Sequence, residues 1–240
     1  MVCIVSAYYK IPSKFPHSKY LPHLIRWFKS VGTRPNVHFF TSEDVFDELQ
    51  KHVNTTGVTF HFLPFSEITA NDLGRDFWQR QYDRDPERYH TPELGMIWYE
   101  KRHFVRRAME IDDSSTFIWC DAGCVRDEIS ESKAREFGSR GLNINDNRMH
   151  LQIVSQLVPK DFYRFPDVSI AGAIMAGNRT AWTTFIEQYE ASLREYDERS
   201  IPGISDQYVT SYCIRKHNEH YALYGAYTEV DNWFQFLETL

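Results

Sequence analysis

Two hydrophobic rhythms alternate along the chain. Short apolar runs, VCIVSAYY (2–9), NVHFFTS (36–42), VTFHFLPF (58–65), the stretch 116–121 and SIAGAIMAGN (169–178), have the length and the β-branched or aromatic content of buried strands. Between them lie longer stretches with apolar residues at helical spacing. Leu21, Leu24, Ile25 and Phe28 predict a helix in YLPHLIRWFKSV, after a loop forced by the two prolines of IPSKFPHSKY. Further helices are predicted over 43–52, 91–110, EISESKAREF, 179–196 and SDQYVTSYCIRKH. The 91–110 segment has Thr91 as cap, Pro92 in the first turn and Leu94, Ile97, Trp98, Phe104, Val105 and Ala108 on one face. RMHLQIVSQLV (148–158) reads as strand or helix, YALYGAY as a last short strand, and 66–88 has no clean period.

Strands alternating with helices over most of the length predict an α/β fold with a central, mainly parallel sheet flanked by helices. Without repeats, low-complexity tracts or a linker, one domain over 1–240 is expected. A chain of 240 residues, 42% hydrophobic and 15% aromatic, buries an ample core without disulfides. The four cysteines, Cys3, Cys120, Cys124 and Cys213, read as buried thiols. A net charge of -6 argues against a nucleic-acid partner. There is no apolar run of bilayer length, and MVCIVSAYYK lacks a basic leader before its short apolar run, so no transmembrane segment and a cytoplasmic location are expected.

Candidate chemistry centres on FIWCDAGCVRD (117–127). In open α/β sheets, ligands bind beyond the carboxyl ends of the strands. Asp121 falls at such an end, followed by the small residues Ala122 and Gly123, which let a bulky group approach the backbone. A carboxylate there holds a hard cation or accepts hydrogen bonds from sugar hydroxyls; the alternative is a turn aspartate bonding its own backbone. Asp206 in Ser205-Asp206-Gln207 reads by itself as a first-turn acid favoured by the helix dipole.

SAYYKIPSKF, PELGMIWYEKRHFVRRAME and FIWCDAGCVRD, followed in order by AGAIMAGN and SDQ, resemble nucleotide-sugar glycosyltransferases of the GT-A type. More narrowly, they resemble the HtrL/YibB-type family and glycosyltransferases of large DNA viruses of green algae, over about residues 2 to 232. The resemblance implies a GT-A-like, Rossmann-like domain with a donor-binding half over about 1–125 and an acceptor-side half over about 126–240. It implies transfer of a hexose-type sugar from a nucleoside-diphosphate donor, expected to be a UDP-sugar, to a hydroxyl of a glycan or glycoprotein. A virus-encoded member would act in the host cytoplasm. Ser6, Ala7, Tyr8, Tyr9 and Thr41 would receive the nucleoside, and Lys101 would reach the donor. Ala173, Asp206 and Gln207 would meet the acceptor or sugar, with Asp121 and Asp206 catalytic and loop 66–90 as an acceptor lid.

Asp121 falls where such enzymes carry an Asp-x-Asp metal motif, but here Asp-Ala-Gly replaces it. A divalent ion, Mn2+ or Mg2+, would be held by Asp121, the diphosphate and His220 or Asp231; otherwise Lys101 and Arg126 would replace it. Two other functions remain open. A noncatalytic nucleotide- or sugar-binding module fits the missing second carboxylate, whereas a sugar nucleotidyltransferase would normally carry a glycine-rich phosphate loop that SAYYKIPSKF lacks.

Overall fold

The computed structural model describes residues 1–139, 144, 146–154, 170–225, 234 and 236–240. The strands are β1 (Val2–Tyr8), β2 (Val37–Thr41), β3 (Val58–Phe62), β4 (Thr116–Cys120), β5 (Met149–Ile153), β6 (Ile170–Asn178) and β7 (Tyr221–Tyr224). The helices are α1 (His17–Lys29), α2 (Glu43–Leu49), α3 (Arg75–Arg84), α4 (Pro92–Ile111), α5 (Glu128–Ala134), α6 (Arg179–Glu198), α7 (Asp206–Lys216) and α8 (Phe236–Thr239).

Seven strands form one sheet in the order β3-β2-β1-β4-β6-β5-β7. All neighbours in β3-β2-β1-β4 are parallel, and β6 runs antiparallel to both β4 and β5. β7 is again parallel to β5. The sheet is therefore mostly parallel, with one reversed strand, β6, inside it. β2 and β4 are buried along their whole length, as the unbroken apolar runs require of strands covered on both faces.

Alternation along the strands divides the core. Cys3, Val5, Ala7, Phe117 and Trp119 join one apolar cluster with residues of α4, α6 and α7. Ile4, Ile118 and Cys120 point the other way, into a cluster with Trp27 and Phe28 of α1 and Ala134 of α5. Each fully buried large apolar side chain contributes about 1.5–3 kcal/mol, so both faces hold the sheet.

Several predicted boundaries move. α1 begins at His17, before the predicted YLPHLIRWFKSV, and carries Pro22 inside it. The helix predicted over 43–52 stops at Leu49. Within 148–158 the strand reading holds for Met149–Ile153, and residues 155–158 lie outside the described ones. The segment without a period contains two 3-10 turns, Phe65–Glu67 and Thr69–Leu73, followed by α3. Its order comes from tertiary bonds: the Glu100 carboxylate accepts from Thr69 N (3.0 Å) and Ala70 N (2.9 Å), and Trp78 Nε1 donates to Ala70 O at 2.8 Å.

α4 positions the site. Its cap is made as the sequence predicts, with Thr91 Oγ1 accepting from Leu94 N; the same hydroxyl donates to Pro12 O at 2.6 Å and ties the 9–16 loop to the helix start. The helix is not simply amphipathic, because Glu100, Lys101, Arg102 and His103 are all buried in its middle. Four consecutive buried polar residues are tolerated only if each finds partners or a function. Among the described residues, no helix is long and apolar enough to cross a membrane.

Candidate active site

Four elements converge at the carboxyl end of β4. Asp121 follows the strand, and its backbone N–H donates to Ala173 O of β6 at 2.8 Å, which extends the β4–β6 ladder by one bond. Lys101 comes from α4, Gly172 from β6, and Asp206 from the first turn of α7. The Lys101 ammonium lies 3.1 Å from Asp121 Oδ1, 2.9 Å from Asp206 Oδ2 and 3.0 Å from Gly172 O. The ammonium donates to Gly172 O and, at 3.3 Å, to Asp121 Oδ2, and it stands in an ion pair with Asp206.

Burial opposes the charge on Lys101, but Asp121 and Asp206 together outweigh it and hold the pKa above the ordinary lysine value. Burial pushes Asp121 up from the usual carboxylate range; Lys101 pulls against that shift, and Asp206 adds to it. Trp119 Nε1 donates to Asp121 Oδ1 at 2.7 Å. Asp121 is therefore not a turn aspartate satisfied by its own backbone. Its side chain is 31% exposed, whereas Asp206 is 5% exposed. The backbone of β6 must come close to α7 for this contact, which is why position 172 is glycine: a Cβ there would stand 2.6 Å from Asp206 Oδ2.

These groups form the floor of a cleft of about 350 Å³ between the 9–16 loop, the start of α4 and the strand ends. The structure brings Ala7, Tyr8, Tyr9, Lys101, Asp121, Ala173, Asp206 and Gln207 to its lining. Their polar ends are differently disposed. Tyr8 OH meets His17 Nδ1 at 2.7 Å, Tyr9 OH donates to Leu63 O at 3.0 Å, and Gln207 Nε2 donates to Ile170 O at 2.6 Å. Tyr8 thus offers its ring to the cleft more than its hydroxyl.

Ser6 and Thr41 are not brought to the cleft. Both are fully buried and donate to backbone carbonyls, Ser6 to Cys120 O (2.6 Å) and Thr41 to Tyr8 O (2.7 Å). They fix the ends of neighbouring strands. Of the predicted lid 66–90, only Tyr89 and His90 line the cleft. His90 is held between Asp85 Oδ2 (3.0 Å) and Glu87 Oε2 (3.3 Å). Sequence reasoning missed Trp119, Gly172, Lys14 and the aromatic wall made by Phe15 and Trp98; the run EKRH within an apolar helix was the available signal for a polar site.

The residues here do not fit a divalent ion. Both Asp121 oxygens lie within 3.3 Å of the Lys101 ammonium, and one also accepts the Trp119 indole. Gly123 has no side chain to offer. His220 precedes β7, at the amino edge of the sheet, because Met149 pairs with Tyr221 and β5 runs antiparallel to β6; Asp121 is at the carboxyl edge of β4. His220 instead meets Gln188 of α6. Asp231 lies outside the described residues. Among the described residues, a set of ligand atoms within 4.8 Å of one another occurs at Cys3, His38 and Asp112, away from the cleft lining.

No protein-family model matches the chain, and no curated protein matches it. Among solved structures, the chain is similar to the apo form of mouse xyloside xylosyltransferase 1, with 14% identity and a TM-score of 0.51 over 92% of this chain and 84% of that one. The fold is GT-A-like. The chain also aligns with CMP:2-keto-3-deoxy-manno-octonic acid synthetase complexed with CTP, at 9% identity and a TM-score of 0.45 over 99% of this chain and 97% of that one. A third similarity is to 4-diphosphocytidyl-2C-methyl-D-erythritol synthase from Anaerococcus prevotii, at 8% identity and a TM-score of 0.39 over 99% and 95% of the two chains.

Proposed function

We propose that the protein is a glycosyltransferase that moves a sugar from a nucleoside-diphosphate donor to a hydroxyl of a glycan or glycoprotein. The observation that carries the reading is the meeting of Asp121, Lys101 and Asp206 on the floor of a cleft at the carboxyl end of a GT-A-like sheet. Such a cleft is the expected ligand position in this architecture. The resemblance of SAYYKIPSKF, FIWCDAGCVRD and SDQ to HtrL/YibB-type glycosyltransferases supports the same class.

On this reading the strands up to β4 and their loops form the donor half, and the chain from 126 onward forms the acceptor side. The ring of Tyr8 and the wall formed by Phe15 and Trp98 give flat surfaces for a nucleobase and sugar. Asp121 has a partly exposed carboxylate with a raised pKa, and it accepts hydrogen bonds from sugar hydroxyls or the proton of the attacking acceptor. Lys101 and Asp206 are positioning residues that hold Asp121 in place. The acceptor oxygen bonds to the anomeric carbon as the bond to the diphosphate breaks, and the diphosphate leaves with that electron pair. Holding both reactants in one cleft supplies much of the rate.

The test is thermal unfolding against a panel of nucleoside diphosphates and nucleotide sugars. A ligand present at about 100 times its Kd stabilises by about 2.7 kcal/mol, which is a shift of a few degrees for a chain this size. The expected result is stabilisation by at least one nucleotide, with slow release of nucleoside diphosphate from its sugar conjugate. No shift with any of them would sink the donor-site reading, and binding without release or transfer would favour a noncatalytic binding module.

A further inference from the structure

Resting on the donor reading above, we propose that this site binds its donor diphosphate without a divalent ion: the Lys101 ammonium occupies the carboxylates, and Arg126 and Lys14 neutralise the diphosphate.

The Lys101 ammonium is coordinated as a small cation would be, by one oxygen each of Asp121, Asp206 and Gly172 at 2.9–3.1 Å. It is built into the chain and buried, so an ion bound at Asp121 would sit against a fixed positive charge. The position two residues on, Gly123, adds no anion. A Cβ there would meet nothing within 4 Å, so the cleft is open at this point and offers space, not a ligand.

Lys101 is buried and already faces two carboxylates and a carbonyl, so the diphosphate meets other cations. Arg126 and Lys14 line the same cleft, and both are exposed. Aromatic rings hold each one: the Arg126 guanidinium lies 4.7 Å from the Phe234 ring centroid, and Lys14 Nζ lies 4.3 Å from that of Tyr89. Rings that fix a cation leave its outward N–H groups for a ligand. Lys14, Lys101 and Arg126 supply three full positive charges to the lining, against the two negative charges of Asp121 and Asp206. The cleft is therefore net positive before any metal is added, which suits a diphosphate anion. Arg126 is suited to bidentate contact with phosphate oxygens and Lys14 to a point-charge contact.

Isothermal titration of the full chain with UDP and GDP, in excess EDTA and in excess Mn2+, tests this. The expected result is saturable binding with Kd values agreeing within about threefold in the two conditions. Arg126→Gln and Lys14→Gln, both exposed and compatible with folding, should each weaken binding about tenfold in both conditions, the usual scale for a charge-assisted hydrogen bond. Binding that EDTA abolishes and Mn2+ restores would overturn the proposal while leaving the donor reading standing. Full affinity in both charge variants would also overturn it. No binding of either nucleotide in either condition would remove the donor reading and this proposal together.

Discussion

Gly172 and Asp206 stand so close that a Cβ on the glycine would lie 2.6 Å from a carboxylate oxygen. Alanine at 172 has only two outcomes, displacement of Asp206 from Lys101 or separation of β6 from α7. Overpacking of this kind typically costs about 1–3 kcal/mol. Gly172→Ala is expected to lower the denaturation midpoint by that amount and to reduce turnover more than an equally destabilising core substitution elsewhere.

Removing the central cation should be worse than removing one of its partners. Lys101→Met leaves Asp121 and Asp206 facing each other in a buried setting, and breaking a buried pair this way costs about 3–5 kcal/mol. Adding Asp206→Asn removes one of the two opposed charges. The double variant is expected to recover part of the lost stability in urea titrations, and the coupling read from the cycle should be well above 0.5 kcal/mol, the scale for residues in one network.

Trp119 offers a way to change Asp121 without changing the charge of the site. Its indole N–H donates to Oδ1 at 2.7 Å and stabilises the ionised form. Trp119→Phe deletes that bond and keeps most of the ring. The Asp121 pKa, already above the usual range, should rise further. If the ionised form is the active one, activity is lost as pH falls through this pKa, so the acid limb of the pH–rate profile is expected at higher pH in the variant.

Glu100 lies beside Lys101 in sequence and does a different job, holding the 69–70 backbone. Burial raises its pKa to about 7 from an ordinary value of 4.5. For a carboxyl group raised in the folded state, the stabilising contribution is present below the unfolded value and is lost as pH rises through the folded one. Compared with Glu100→Gln, the wild type should therefore lose of order 3 kcal/mol of relative stability between about pH 4.5 and 7. Taking the difference between the two proteins cancels the titration of His61 and His103, whose pKa values are pushed down by burial to about 4 and about 3 and which act in the opposite direction. Urea midpoints of both proteins across that range are the measurement.

Much of the fold was legible because burial writes itself into runs and periods. VCIVSAYY, NVHFFTS and FIWC read as covered strands, and Thr91-Pro92 marked the start of α4. The 65–84 segment was not legible, since its turns are held by Glu100 of α4 and by the indole of Trp78 in the helix that follows, and not by a hydrophobic period. The reversal of β6 was equally hidden, because a run of small and apolar residues such as AGAIMAGN does not encode strand direction. Within the site, Asp121 stood out by its place at a strand end, whereas Lys101 and Asp206 were singled out by the resemblance to GT-A glycosyltransferases. That they share one ammonium depends on how far β6 approaches α7, which only the packing at Gly172 determines. Ser6 and Thr41 look like nucleoside contacts in sequence, but buried hydroxyls need acceptors, and here the backbone supplies them.

On the proposed function, the carboxylate at the end of β4 serves sugar transfer. That role is tested most directly by nucleoside diphosphate release from a panel of nucleotide sugars, with mixed glycan acceptors, for the wild type and Asp121→Asn. The substitution keeps the shape and leaves an oxygen for Trp119. The wild type should release nucleoside diphosphate from at least one donor and the variant should lose about 100-fold or more, with thermal unfolding showing that the variant is folded. Turnover in Asp121→Asn equal to that of the wild type would contradict it.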